Sequence, residues 1–283
     1  MIGELRGKTA LITGAGSGIG LGMARAFAEA GLKIAMVDID AKALSAAATD
    51  LTASGAQVLA LPLDVTDYPG WTAAADTVEA ALGPVQILCN NAGVGAMGLT
   101  LDVLTPEVWN KFVSINLNGV FYGIHCLVPR MRAAGDGHIV NTASMAGLMS
   151  GHAGIAPYAT TKHAVVGLSE TLRAELAPQG IGVSVLCPAA VRTQLWRTSR
   201  RVRDLPDIEI PPPEYRLGSA SPDGLDPYRV GLRVLEAIRA NELYILTHPE
   251  TRNWVVPRFA AIMAAYDTAE AALPTLRGEP KGK

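Results

Sequence analysis

Between its first apolar run and its first amphipathic segment the chain reads Thr13-Gly14-Ala15-Gly16-Ser17-Gly18-Ile19-Gly20. Upstream, Lys8–Thr13 (KTALIT) is short and apolar and reads as a buried strand. Downstream, Gly18–Ala30 has helical apolar spacing through Ile19, Met23, Phe27 and Ala30, and Gly31 stops it. Glycines placed between a strand and a helix let the backbone turn sharply and approach a pyrophosphate. The helix N-terminus then offers that group free N–H donors and a partial positive charge. The spacing is G-x-x-x-G-x-G on Gly14, Gly18 and Gly20, not G-x-G-x-x-G. A glycine cluster elsewhere would be a mere turn; here the flanking elements make it a phosphate-binding candidate.

The same alternation continues outward. Lys33–Asp38 is a second buried strand, and Ala41–Ala53 is a helix entered through Asp40 as N-cap. Val58–Leu61 is a strand, Asp67–Leu82 a helix and Val85–Cys89 a strand. Thr105-Pro106-Glu107 combines an N-cap, a proline at the first helical position and an acid in the first turn, and predicts a helix to about Ala134. His138–Asn141 and Gly182–Cys187 are strands around a helix bracketed by Tyr158–Pro178. Continuous apolar strands alternating with helices predict an α/β fold, a Rossmann-type doubly wound parallel sheet in a single domain. Residues 1–189 form its core. Residues 190–227, with Pro206, Pro211-Pro212-Pro213, Pro222 and Pro227, break the pattern and read as a long functional insert. A helix–strand–helix unit follows over 228–272, and 273–283 reads as a flexible tail.

Composition narrows the function. The 283 residues are 49% hydrophobic and carry a net charge of −2, which argues for a large core and against nucleic acid or an anionic membrane as partner. With 5% aromatic residues, stacking on single-stranded nucleic acid is disfavoured. Cys89, Cys126 and Cys187 have neither zinc nor disulfide spacing, and no His pair has metal-ligand spacing, so no metal is expected. The start of the chain lacks a secretory h-region, and no uninterrupted apolar run reaches about 18 residues. A cytoplasmic protein without a membrane span is expected.

Two further groups of residues suggest chemistry. Asp38 ends the second strand, where a carboxylate can bond an adenosine ribose 2′-OH and repels a 2′-phosphate. Ser17 and Ile39 stand where a phosphate would need Arg or Lys, so NAD(H) is expected over NADP(H). Tyr158 and Lys162 lie four apart, on one face of a helix. A free tyrosine, with a pKa of about 10, is a poor base. An ammonium about 4 Å away is worth roughly 4 kcal/mol at an effective dielectric of about 20, enough to bring the phenol toward neutrality. An isolated Y-x-x-x-K arises by chance, but Ser144, the Asn90-Asn91-Ala92-Gly93 stretch and Asn116 all fall near strand ends or on the helix facing them.

With these residues in place the chain resembles the short-chain dehydrogenase/reductase family, of the classical type, from about Lys8 to Thr193. The resemblance implies a phosphate turn on Thr13, Gly14, Ser17, Gly18, Ile19 and Gly20. It implies adenine contacts at Asp64 and Val65, and a sheet-stabilising motif at Asn90-Asn91-Ala92-Gly93. Ser144, Tyr158, Lys162 and Asn116 match the catalytic tetrad. Pro188–Thr193, with Val191, matches the segment that packs on the nicotinamide, Thr193 standing at the carboxamide position. Two departures stand out. Pro188-Ala189 replaces the usual Pro-Gly, which reduces backbone freedom. The Ser144–Tyr158 interval is one residue longer than is common, implying a longer loop over the substrate.

The implied mechanism has Tyr158 exchange the alcohol proton while Lys162 lowers its pKa and holds the nicotinamide ribose. Ser144 orients the substrate oxygen, and Asn116 anchors a water in a proton relay. The 190–227 insert takes the substrate-lid position. Arg197–Arg203 either clamps an anionic substrate or is a solvated face, and His152 lines the pocket or sits on a surface loop. Met145, Met149 and Trp196 are expected pocket lining. Leu243–Pro249 (LYILTHP) resembles a subgroup acting on hydrophobic and aryl secondary alcohols. The leading reading is an NAD-dependent dehydrogenase or ketoreductase acting on a small-molecule alcohol or ketone. A 3-oxoacyl reductase and a catalytically silent dinucleotide-binding regulator are the alternatives. Apolar runs on several faces of Glu107–Ala134 and Tyr158–Pro178 predict a homodimer or homotetramer.

Overall fold

The computed structural model describes residues 4–95, 98, 100–149, 151–195 and 224–276. Most of the expected lid, with Trp196 and Arg197–Arg203, lies outside the described residues, as does the tail beyond residue 276.

Seven strands form one parallel sheet: β1 (Thr9–Thr13), β2 (Lys33–Asp38), β3 (Val58–Pro62), β4 (Val85–Asn90), β5 (His138–Thr142), β6 (Gly182–Cys187) and β7 (Tyr244–Leu246). Their order is β3-β2-β1-β4-β5-β6-β7. The central strands are mainly apolar because both sheet faces are covered there, with buried polar exceptions such as Asn90, His138 and Asn141. On one face lie α1 (Gly18–Glu29), α2 (Ala41–Ala53) and α7 (Pro227–Ala240), which pack Met23, Phe27, Leu44, Leu51, Val234 and Ile238 onto the sheet. On the other lie α3 (Tyr68–Leu82), α5 (Gly119–Ala134) and α6 (Ala156–Leu176), contributing Trp71, Val78, Leu127, Met131, Val165 and Leu172. A last helix, α8 (Arg252–Leu276), is largely exposed. This is the expected doubly wound architecture.

Helices α1 and α7 approach closely enough to leave no room for a side chain at Gly22 or Gly231. A Cβ on Gly22 would lie 2.1 Å from the carbonyl oxygen of Pro227, and one on Gly231 2.5 Å from that of Gly22. The helix expected from Thr105 to Ala134 is interrupted: α4 (Pro106–Val113) passes through a π-helical turn, Ser114–Asn118, into α5. Among the described residues Pro106–Ala134 is the one helical stretch that is, by length and composition only, long and apolar enough to cross a bilayer. In the fold half of its most apolar window is buried, with Val120, Ile124, Leu127 and Met131 in the core.

The strand order reverses direction between β1 and β4, so the loops leaving their carboxyl ends diverge and open a crevice. Gly14–Gly18 leaves β1, Asn91–Val94 leaves β4, Ala143-Ser144 leaves β5 and Pro188-Ala189 leaves β6. All of them border that crevice.

Candidate active site

The crevice is a cleft of about 720 Å³, within the size range of small-molecule and cofactor sites. Gly14, Gly18 and Ile19 form one wall. Gly14 and Gly18 have φ of +66° and +52°, the left-handed region that a side chain disfavours. A Cβ on Gly18 would also come within 3.2 Å of Thr193. Asp38 closes one end of the cleft. Its Oδ2 accepts the Gly16 N–H at 2.9 Å and its Oδ1 the Asp40 N–H at 2.9 Å, so the carboxylate is oriented while each oxygen keeps a further lone pair. Asp64 and Val65 line the cleft beside it, Asp64 accepting from the Thr66 backbone and hydroxyl.

Two of the expected cofactor residues shape the cleft without lining it. Gly20 is buried in α1. Thr13 is buried, and its hydroxyl oxygen accepts the backbone N–H groups of Asn91 and Ala92, both at 2.9 Å. Asn91 also donates its side-chain amide to the Thr13 carbonyl at 3.0 Å. These bonds fix the loop after β4, so that Asn91, Ala92 and Gly93 line the cleft floor. Behind them Asn90 donates to Asn141 (2.9 Å), Asn141 to Ser169 (3.0 Å), and Ser169 to the Val165 carbonyl (2.7 Å). That buried relay ties β4, β5 and α6 together.

At the opposite end stand Ser144, Tyr158 and Lys162. The Tyr158 ring packs on a small cluster made by Val94, Val108 and Phe112. Lys162 is buried and donates to the Thr142 carbonyl at 2.8 Å, with its Nζ 5.7 Å from the centre of the Tyr158 ring. Burial pulls the Lys162 ammonium down to about 8. Tyr158 departs from expectation. Burial raises its pKa above the ordinary value, and the hydrogen bond from Ser144 only opposes that rise. The i, i+4 spacing correctly brought the two side chains together. It carried no information on desolvation, which is the largest influence on the phenol here.

Asn116 sits in the π turn, fully buried and outside the cleft lining. Its Oδ1 accepts the Val94 N–H at 2.8 Å, and its Nδ2 donates to the Val94 carbonyl (3.0 Å) and the Thr161 hydroxyl (3.3 Å). Both amide hydrogens are used, so its side chain braces the β4 loop. A relayed water would be left to its backbone carbonyl. Thr161, which local patterning does not single out, joins Asn116 to the first turn of α6 through the Tyr158 carbonyl at 2.9 Å.

Pro188, Val191 and Thr193 line the cleft as expected. Ala189 is accommodated without strain: among the described residues Asn241 is the only non-glycine with positive φ, so the missing glycine is not required there. The expected substrate residues are less unified. Met145 is buried in the core rather than lining the cleft, because the 3₁₀ turn Met145–Gly147 faces it inward. Met149 and the exposed His152 instead line a second cavity of about 550 Å³, against Trp254, Arg258 and Ile262 of α8. Arg192 and Asp226, paired at 2.5 Å, also border the main cleft. Among the described residues no cluster of His, Cys, Asp or Glu is arranged to hold a metal.

Comparison with known proteins agrees with this arrangement. The short chain dehydrogenase family model matches residues 8–204. C alpha-dehydrogenase of Sphingobium sp. is 35% identical over 266 residues, 92% of this chain and 87% of that protein. A 3-alpha-(or 20-beta)-hydroxysteroid dehydrogenase of Mycobacterium bovis is 38% identical over 195 residues, 69% of this chain and 73% of that protein. Among solved structures, a short chain dehydrogenase/reductase of Burkholderia phymatum in complex with NAD superposes with a TM-score of 0.84 at 36% identity. The match covers 93% of this chain and 97% of that one.

Proposed function

The chain belongs to the short-chain dehydrogenase/reductase family, and on that premise we propose that it is an NAD(H)-dependent oxidoreductase interconverting a secondary alcohol and a ketone. The observation that carries the reading is one cleft with two chemically distinct ends. The glycine turn and Asp38 stand at one, and Ser144, Tyr158 and Lys162 at the other.

The cleft's residues fit a dinucleotide. Side-chain-free backbone at Gly14 and Gly18 leaves room for a pyrophosphate at the start of α1, where N–H groups are free to donate. Asp38 would accept from the ribose hydroxyls, Asp64 and Val65 would flank the adenine, and Lys162 would hold the other ribose. Pro188, Val191 and Thr193 would flank the nicotinamide, with Asn91, Ala92 and Gly93 beneath. When bound, the nicotinamide supplies or accepts the hydride.

The chain's own residues handle the proton and the geometry. A phenol held neutral by burial is poised to donate, so Tyr158 gives its proton to the carbonyl oxygen as a ketone is reduced and recovers it as an alcohol is oxidised. Ser144, bonded to Tyr158, orients the same oxygen. Lys162, anchored on Thr142, brings a positive charge beside the phenol and favours the phenolate left after transfer. Asn116 holds the π turn and the β4 loop against the first turn of α6, which keeps Tyr158 in place.

The proposed substrate is hydrophobic and bulky, of the aryl or alicyclic kind. Supporting it are the apolar side chains of the second cavity and the likeness to C alpha-dehydrogenase, which extends through most of the C-terminal segment. The exposed aromatic cluster of Tyr68, Phe121, Tyr122 and His125 supports a homo-oligomer. The test is thermal stabilisation by NADH against NADPH, then turnover on a panel of aryl, alicyclic and 3-oxoacyl ketones. Stronger stabilisation by NADPH would refute the cofactor preference. Silence on every ketone would favour a non-catalytic dinucleotide-binding protein.

A further inference from the structure

The motif Leu243–Pro249 contains a histidine that the chemistry above does not use. Strand β7 pairs in parallel with β6, Cys187 opposite Leu246. Continuing that register beyond the strands sets Thr247 beside Pro188 and His248 beside Ala189. The geometry bears this out: His248 Nδ1 lies 3.3 Å from the Ala189 nitrogen, and His248 Nε2 lies 3.0 Å from the Ala190 oxygen.

These two contacts assign the imidazole. A backbone N–H can only donate, so Nδ1 must be the unprotonated acceptor. A carbonyl can only accept, so Nε2 must carry the hydrogen. The Thr247 hydroxyl, 2.7 Å from Nδ1, can donate to it as well. One ring thus spans the N–H of one residue and the carbonyl of the next, just where the β6 ladder has ended.

The junction it holds is crowded with consequences for the cleft. The Ala190 oxygen also accepts the Leu225 N–H at 2.8 Å, and Arg192 donates back to the Leu225 carbonyl at 3.0 Å. Ala190 is therefore where the outgoing and returning stems of the long insert meet. On its other side the Met145 N–H donates to the Pro188 carbonyl at 3.0 Å. Buried Thr251, whose hydroxyl bonds the His248 carbonyl at 2.6 Å, lies 3.5 Å from the Met145 sulfur. The turn from His248 to Thr251 so buttresses both the Ser144-Met145 corner and the Pro188–Ala190 wall. His248 itself is not among the residues lining the cleft.

We propose that His248 is a positioning residue for the alcohol–ketone reaction, acting by pinning Ala189 and Ala190 so that the Pro188–Val191 wall keeps its distance from Ser144 and Tyr158. The inference rests on the proposed function for its catalytic readout, and on the hydrogen bonds alone for its structural one. Displacement of a reacting group by about 1 Å can cost about a hundredfold in rate.

The experiment compares wild type with His248→Phe and His248→Gln in the full chain. Hydrogen–deuterium exchange over peptides covering 188–195 and 224–228, without substrate or cofactor, reads the pinning. Steady-state kinetics with NADH and a turned-over ketone reads its effect. In H248F we expect faster exchange confined to those peptides and a kcat lower by about ten- to a hundredfold, with ketone KM and thermal midpoint little changed. In H248Q, whose amide can still donate to the Ala190 carbonyl, part of both losses returns. Unaltered exchange in H248F overturns the pinning. Faster exchange with kcat within about twofold of wild type overturns the positioning role. So does faster exchange across the whole sheet in both variants, which marks general destabilisation. Wild type silent on every ketone refutes the proposed function instead, while the exchange result still decides the pinning.

Discussion

Lys162 Nζ lies 5.7 Å from the centre of the Tyr158 ring and is anchored on the Thr142 carbonyl, so the ammonium is held beside the phenol by the backbone of β5. Replacing Tyr158 by Phe removes the proposed proton donor while keeping the ring. Turnover is expected to fall by about 10²- to 10⁴-fold, with NADH affinity, followed by nicotinamide fluorescence, within about twofold of wild type. An active Phe variant would sink the assignment of Tyr158.

Asp38 should govern cofactor choice. Hydrogen bonds to a charged group are worth about 1.5–3 kcal/mol. Asp38→Asn is therefore expected to lower the preference for NADH over NADPH by about ten- to a hundredfold in kcat/KM. A preference unchanged in the variant would mean that other groups select the cofactor.

Thr13 should matter to stability more than to chemistry. Thr13→Val removes the acceptor shared by the Asn91 and Ala92 N–H groups, both half-buried on the cleft floor. An unsatisfied donor costs about 1–3 kcal/mol when fully buried and less where the cleft admits water, which sets the loss here at the low end. Urea denaturation should report a loss of about 1 kcal/mol, with Thr13→Ser restoring most of it. A stable Val variant would show that the loop finds other partners.

Acid should act through His138. Burial, aided by the Arg173 charge, pulls its pKa down to about 4 from an ordinary 6.5. Its Nε2 lies 2.8 Å from the Ser184 hydroxyl. Between pH 6.5 and 4 the unfolded chain binds more protons than the folded one, so stability falls as pH falls through that window. The group's share is about 3 kcal/mol by pH 4. Denaturation midpoints at several pH values should show a shallower acid slope in His138→Asn than in wild type; equal slopes would assign the acid sensitivity elsewhere.

Much of this was legible in the residues because the sheet is buried on both faces. Most strands announce themselves as apolar runs, and the glycine turn, Asp38 and Ser144 fall at strand ends where α/β sheets open, with Tyr158 and Lys162 on the helix that faces them. What escaped was non-local or a matter of depth. The π turn at Ser114–Asn118 keeps an almost helical spacing, so its pattern resembles an unbroken helix. Tyr158's upward shift depends on how far the phenol is desolvated. Met145 could not be assigned a side of its turn. His248 meets Ala189 only through the β6–β7 register, with nearly sixty residues between them in the chain.

The bridge between Val191 and Leu225 gives the family scaffold something like a socket. The chain leaves the core and re-enters it at adjacent points, and both points are braced. His248 holds the exit, and the tight seat of Pro227 on Gly22 holds the return. In general, each doubling of a flexible connection costs only about 0.6 kcal/mol, so a frame closed at both ends tolerates changes in the number of residues between them. Natural variation or a laboratory graft can exchange what lies between those points, in length and in composition, without renegotiating the frame.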